Sequence, residues 1–159
     1  MAHVQKSTMP AHPMMGQEGA LERTGAGFAR EAADARVTVV MLTYNRLEEA
    51  SRSLTHLAAL PERPQIVVVD NASPDGTAEL LPQRFPGVSV IGLERNIGAA
   101  ARNVGIGRAT TPYVALCDDD TWWRPGSLRR AADVLDAHAR LAIVTGPVLV
   151  GPEEREDPT

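Results

Sequence analysis

The chain has 159 residues and a single cysteine, Cys117. That excludes an internal disulfide and any multi-cysteine metal cage, and it points to a reducing compartment. Cys117 follows an apolar run and reads as a core thiol. Long apolar runs are also lacking: nothing approaches the roughly 18 consecutive apolar residues of a membrane span. The segment Leu141 to Val150 is interrupted by Thr145, Gly146 and Pro147. The N-terminus has no basic start followed by an apolar stretch, so a secretory leader is not expected. A cytoplasmic protein is expected, with peripheral membrane contact left open. Positive charge is not in excess either. The formal net charge is -4 and the pI about 5.5, which gives no field to recruit nucleic acid or an anionic membrane. Neither a Walker sequence nor Gly-x-Ser-x-Gly is present, and His3, His12, His56 and His138 are too scattered for a metal set or a catalytic triad.

What is present is the balance of an ordinary globular domain, 43% hydrophobic and 23% charged, so one core is expected. Residues 1–36 mix Met, Pro, Gly, His and charge without an apolar period, and read as a flexible N-terminal arm. From there, short β-branched runs alternate with helical stretches, the signature of βαβ units and a mostly parallel sheet flanked by helices. The expected strands are Val37 to Leu42, Ile66 to Val69, Val88 to Leu93, Tyr113 to Cys117 and Leu141 to Thr145, each rich enough in Val and Ile to be covered on both faces. Helical spacing of Leu47, Ala50, Leu54, Leu57 and Ala58 predicts a helix starting after Asn45, with Asn45 and Glu48 as a capping pair. Further helices are expected over Thr77 to Arg84, Gly98 to Arg108 and Gly126 to Ala139. The domain thus spans 37–150, and residues 151–159 form a charged tail.

Ligands of open parallel α/β sheets bind beyond the carboxyl ends of the strands. Here those ends carry Thr43-Tyr44-Asn45-Arg46, Asp70-Asn71-Ala72-Ser73, Arg95-Asn96-Ile97-Gly98 and Asp118-Asp119-Asp120. Three consecutive carboxylates repel one another unless a cation or hydrogen-bond donors offset the repulsion. Mg²⁺ or Mn²⁺ suits them, because such an ion takes one or two carboxylates and fills its other positions with water and phosphate oxygens. Asp118 and Asp120 fit that division; a solvated acidic turn is the plainer alternative. Asp70 could accept from a base N–H or cap its own loop. Tyr44 could stack on a base or simply pack. Arg102 could meet a phosphate, the base edge or a surface carboxylate, and Gly98 would let a ligand approach the backbone. Of Trp122 and Trp123, one is expected to pack and the other is left open.

In order and spacing, VTVVMLTYNR, IVVVDNASPDGT, NIGAAARNVGI and YVALCDDDTWWRPGSL resemble the donor domain of the family 2 glycosyltransferases, over roughly Val37 to Val150. The resemblance implies the GT-A fold and binding of a nucleotide-diphosphate sugar, UDP-, dTDP- or GDP-linked. It places Thr43, Tyr44 and Asn45 by the nucleotide and Asp70 on the base, with Asn71 and Ser73 shaping that loop. Gly98 and Arg102 would border base and ribose. Asp118, Asp119 and Asp120 would form the DxD-type motif, Asp119 near the ribose and Asp120 the metal ligand, while Pro125 and Leu128 match its structural tail. The implied reaction is transfer with inversion to an unknown glycan, lipid or small-molecule acceptor. The family's general base comes later in the chain than Thr159, so a fold truncated at its C-terminus is expected; Glu153, Glu154, Glu156 and Asp157 read as solvated tail.

Two rival readings stand beside this one. A donor-binding module without catalysis is favoured by the fact that every recognised segment serves the donor. A haloacid-dehalogenase-like phosphatase also puts DxD after a parallel strand, but its pattern requires Thr or Val where this chain has Trp122, and its motif belongs at the first strand.

Overall fold

The computed structural model describes residues 3–6 and 33–157. Its elements, in chain order, are β1 (His3–Lys6), β2 (Val37–Thr43), α1 (Leu47–Ala58), β3 (Gln65–Asp70), α2 (Thr77–Arg84), β4 (Ser89–Gly92), a 3-10 turn (Gly98–Ala100) running into α3 (Ala101–Arg108), β5 (Tyr113–Asp118), α4 (Ser127–Ala137), β6 (Ile143–Thr145), β7 (Leu149–Val150) and β8 (Arg155–Glu156). The main sheet has the order β4-β3-β2-β5-β1-β6. Strands β2 to β5 pair in parallel, whereas β1 runs antiparallel to both of its neighbours.

The Val- and Ile-rich central strands are apolar on both faces because both faces are covered. On one side Val39, Met41 and Val68 join Leu54 and Leu57 of α1, Leu81 of α2, and Leu128 and Leu135 of α4. On the other, Val40, Val67, Val114 and Leu116 form a smaller cluster with Ala109, against which Ile106 of α3 packs. Gly105 sets how closely α3 approaches: a Cβ there would lie 2.4 Å from Val40 Cγ1 and 3.0 Å from Val69 Cγ2. At Gly107, one turn-half away, a Cβ would meet nothing within 4 Å.

Two expectations are corrected. The Asn45/Glu48 capping pair does not form: Arg46 is the N-cap of α1, no side chain of that residue caps the helix, and Asn45 adopts φ 54°. Asn tolerates that left-handed backbone better than most residues, and Asn45 is used to turn the chain. Instead, the carboxylate of Asp75 faces the N–H of Leu47 at 3.4 Å. The second correction concerns the arm. His3–Lys6 forms a strand, with Val4 fully buried in the larger core. Its backbone groups bond to β5 on one side and β6 on the other. Among the described residues, β1 is the sheet's link to β6. The remainder of the expected arm, residues 7–32, lies outside the described residues. In the expected tail, β8 pairs with β7, and Glu153, Glu154 and Glu156 are exposed.

At the end of the sheet opposite the carboxyl tips, Arg36 bonds Asp34 (2.6 Å), Asp133 (2.8 Å) and Asp136 (2.5 Å), and the Tyr113 hydroxyl donates to Asp136. Burial, together with the carboxylate of Asp136, pushes the Tyr113 phenol up to about 12. The protonated phenol is therefore favoured by folding. Its contribution is whole below the unfolded value near 10 and is lost as pH rises through 12.

Two outcomes are expected. Gly105→Ala lowers unfolding stability by about 1–3 kcal/mol, because stiff β-branched neighbours must give way, while Gly107→Ala is neutral or gains up to about 1 kcal/mol from helix propensity. Urea unfolding followed by circular dichroism measures both, and equal effects would refute the close approach of α3. In alkaline titration, Tyr113→Phe flattens the loss of stability between pH 10 and 12; an unchanged slope would remove this residue from the account.

Candidate functional site

Parallel pairing in register brings the carboxyl ends of the central strands to one edge. Thr43 stands beside Asp70, and Leu42 beside Asp118. Beyond this edge opens a cleft of about 400 Å³, lined by Leu42, Thr43, Tyr44, Arg46, Asn71, Asn96, Gly98, Arg102 and the three aspartates Asp118 to Asp120. Thr43 at the end of β2, Gly98 and Arg102 in the 3-10 turn and α3, and Asp120 after β5 therefore line one cleft. Of the residues expected at the site, Asn45 and Asp70 are not among those that line this cleft.

Asp70 is 2% exposed, and its carboxylate accepts from the Ser73 N–H (3.0 Å) and the Ser73 hydroxyl. Ser73 Oγ in turn accepts from the Asn45 N–H at 2.7 Å, tying the loop after β2 to the loop after β3. Asn71 is equally committed. Its amide donates to Asn96 Oδ1 (2.9 Å) and to the Gly98 carbonyl (3.2 Å), and its own oxygen accepts from the Ile97 N–H (2.9 Å). A buried side chain with all these bonds acts as a clamp on the backbone of 96–98. That clamp holds Gly98 at φ 63°, where glycine carries no steric penalty, so the backbone itself forms one wall of the cleft.

The acidic triplet is divided by direction. Asp119 points inward, 6% exposed, and accepts from Thr43 Oγ1 at 3.0 Å, while its carbonyl accepts from Ser53 Oγ at 2.8 Å. Arg46 Nη1 lies 3.0 Å from Asp119 Oδ1 and 3.0 Å from Asp120 Oδ2. Asp118 is bonded to Arg102. Burial raises the Asp118 carboxyl, but hydrogen bonding and positive charge, those of Arg102 among them, bring it net below its ordinary value. The repulsion expected of three adjacent carboxylates is thus offset by two guanidiniums from other elements. Among the described residues, no group of three or more His, Cys, Asp or Glu forms a ready-made metal cage. The donor set still suits a hard divalent ion, which needs one or two carboxylates when phosphate and water complete its shell; Asp118 and the half-exposed Asp120 both line the cleft.

Sequence reasoning placed Arg46 and Asn96 at strand tips but assigned neither a role among the lining residues. The signal for Arg46 was available, since a guanidinium at one strand tip and three aspartates at another must be weighed together once the tips converge. Nothing local set Asn96 apart from the other residues of its strand tip. Trp123 packs in the core, whereas Trp122 is 43% exposed and stacks on His56, centroids 4.2 Å apart and 10° from parallel. Tyr44, 47% exposed, borders the cleft.

With this geometry in view, comparison with known proteins is informative. The profile described as Glycosyl transferase family 2 matches residues 38–159. The succinoglycan biosynthesis protein ExoO of Rhizobium meliloti is 39% identical over 104 residues, 64% of this chain and 30% of that protein. Among solved structures, S. aureus TarS in complex with UDP-GlcNAc superposes with a TM-score of 0.53 at 28% identity, over 65% of this chain and 32% of that one. The mannosyltransferase PcManGT of Pyrobaculum calidifontis, in complex with GDP-Man and Mn²⁺, gives 0.52 at 26% identity, over 64% and 32%. The chain therefore spans about a third of the length of the proteins it matches. These neighbours are GT-A transferases, and the six-stranded, mostly parallel sheet described above is that fold.

If Asn71 is the clamp, Asn71→Ala strands the Ile97 N–H without its acceptor, a cost of about 1–3 kcal/mol. Amide exchange at Ile97 and Gly98 should then quicken by about tenfold or more, with Val39 and Val68 in the core unchanged. Exchange that quickens uniformly would mean global destabilisation and no specific clamp.

Proposed function

Since this chain belongs to glycosyl transferase family 2, we propose that its cleft binds a nucleotide-diphosphate sugar and that residues 37–150 serve as the donor-binding unit of an inverting transferase. The observation that carries this reading is the convergence of Thr43, Gly98, Arg102 and the acidic triplet on one cleft. A diphosphate demands cations and backbone or hydroxyl donors; a sugar and a base demand hydrogen-bonding edges and an apolar or aromatic face. The cleft supplies both kinds of group.

Tyr44 offers its exposed ring to the base. Asp70 still has acceptor capacity beyond the two bonds from Ser73, since an ionised carboxylate has about four lone-pair sites, and in this reading it accepts from a base N–H. The exposed backbone at Gly98 admits the ribose without a side chain in the way. Arg102 borders base and ribose, and Asp119 lies near the ribose, whose hydroxyls it can accept from. Asp120, with Asp118, would hold Mg²⁺ or Mn²⁺, which when bound supplies Lewis-acid stabilisation of the departing diphosphate. An acceptor hydroxyl also needs a general base. Asp118, Asp119 and Asp120 are paired with arginines and Asp70 with Ser73, so none is assigned that role here. A donor-binding module without catalysis remains the second reading, favoured by that same commitment of every cleft carboxylate.

Calorimetry with UDP, dTDP and GDP, with Mn²⁺ and then with EDTA, tests the proposal. Binding should depend on metal, and Asp120→Asn should weaken it by roughly tenfold or more, the scale of losing one charged contact. Glu154→Gln should change little, because Glu154 lies on the β7–β8 connection and pairs with Arg124. Equal affinity in EDTA sinks the metal role; a larger effect of Glu154→Gln than of Asp120→Asn places the site elsewhere.

A further inference from the structure

We infer that Arg46 is a resident counter-ion of the cleft, which occupies the cation position on Asp120 until a metal–nucleotide complex displaces it. The inference rests on the donor-site reading above and adds to it a residue and an order of events.

The geometry has three parts. First, a single nitrogen, Arg46 Nη1, bridges two carboxylates, at 3.0 Å from Asp119 Oδ1 and 3.0 Å from Asp120 Oδ2. Second, the two carboxylates differ in how firmly they are fixed. Asp119 is 6% exposed and also held by Thr43, whereas the side chain of Asp120 is 52% exposed. Third, Arg46 is itself half-exposed and lies just before the first turn of α1, with its backbone outside helical geometry at φ -143°. The left-handed turn at Asn45, fastened by Ser73, presents it to the cleft.

Consider what a divalent ion meets on arriving at Asp120. Asp120 Oδ2 is already paired with a guanidinium, and two cations sharing one exposed carboxylate repel each other. Arg46–Asp120 pairing and metal binding at Asp120 therefore oppose one another. The bond to Asp119 is the one that survives, because Asp119 is buried and fixed. Arg46 then swings on that anchor, and its freed donors face the cleft, where a diphosphate can accept them. A bare metal ion must break the pair with nothing to compensate; a metal carried by a nucleotide diphosphate compensates it with phosphate oxygens. Metal and nucleotide are consequently coupled through Arg46 in both directions, as linkage requires.

Manganese binding followed by electron paramagnetic resonance of free Mn²⁺, with and without the nucleoside diphosphate that binds best, tests this in the whole chain. Arg46→Met should bind Mn²⁺ alone about fivefold more tightly or better, the lower end of ordinary coupling between sites. The gain in Mn²⁺ affinity caused by the nucleotide should shrink by a similar factor. Arg46→Lys, which keeps the charge, should stay close to the wild type in metal affinity without nucleotide. Thermal unfolding of each variant verifies that the fold persists, as expected for a half-exposed side chain. If the nucleotide binds with Mn²⁺ yet Arg46→Met grips Mn²⁺ no more tightly than wild type, the counter-ion role is overturned and the donor site stands. If neither Mn²⁺ nor any nucleoside diphosphate binds wild type or variant, the donor-site reading itself fails and takes this inference with it.

Discussion

Parallel pairing of β2, β3 and β5 is the constraint from which the rest follows. It requires every strand to end on the same side, and the sequence ends each of them in polar residues, so hydroxyl, amide and carboxylate groups are forced into one small volume. Crowding of three carboxylates there would be unfavourable in isolation. Two arginines from other elements, Arg46 before α1 and Arg102 within α3, make it tolerable. The site thus sets positive and negative charge side by side, each holding the other in place.

The loops around this edge are tied to one another and not only to their own strands. Ser73 fastens the turn at Asn45, and Asn71 fastens the backbone from Asn96 to Gly98. Such cross-loop bonds let short connections keep a defined shape without packing a side chain into the cleft. Close packing of α3 through Gly105 serves the same end, because Arg102 sits three residues before that contact and its reach to Asp118 depends on how near the helix lies to β2 and β3.

Much of this was legible from the sequence. The Val- and Ile-rich runs located β2 to β5 to within a residue or two; burial on both faces explains the composition of β2, β3 and β5, whereas β4 is a partly exposed edge strand. The periodic Leu and Ala of α1 and α4 located the helices. Strand-tip residues were then named by position alone, and Thr43, Tyr44, Asn71, Gly98, Arg102 and the aspartates do line one cleft. The capping of α1 was misjudged because Asn45 has two local uses, cap or left-handed turn, and only a partner 28 residues away at Ser73 decides between them. β1 was read as part of an arm because its four residues contain a single apolar side chain; its order comes from backbone bonding on both edges, which has no signature in composition.

The sequence alone determined the α/β class, the order of the elements and the chemical types of groups at the strand ends, because each depends on periodicity and composition within a short window. Tertiary structure decided which of those groups point into the cleft and which are spent holding it. Asp70 and Asn71 are tied into their loops by hydrogen bonds that the sequence does not reveal, and Arg46 bridges Asp119 and Asp120. The reason is that hydrogen-bond satisfaction in a buried site is settled between residues tens of positions apart, and only the folded chain brings those donors and acceptors within 3 Å of one another.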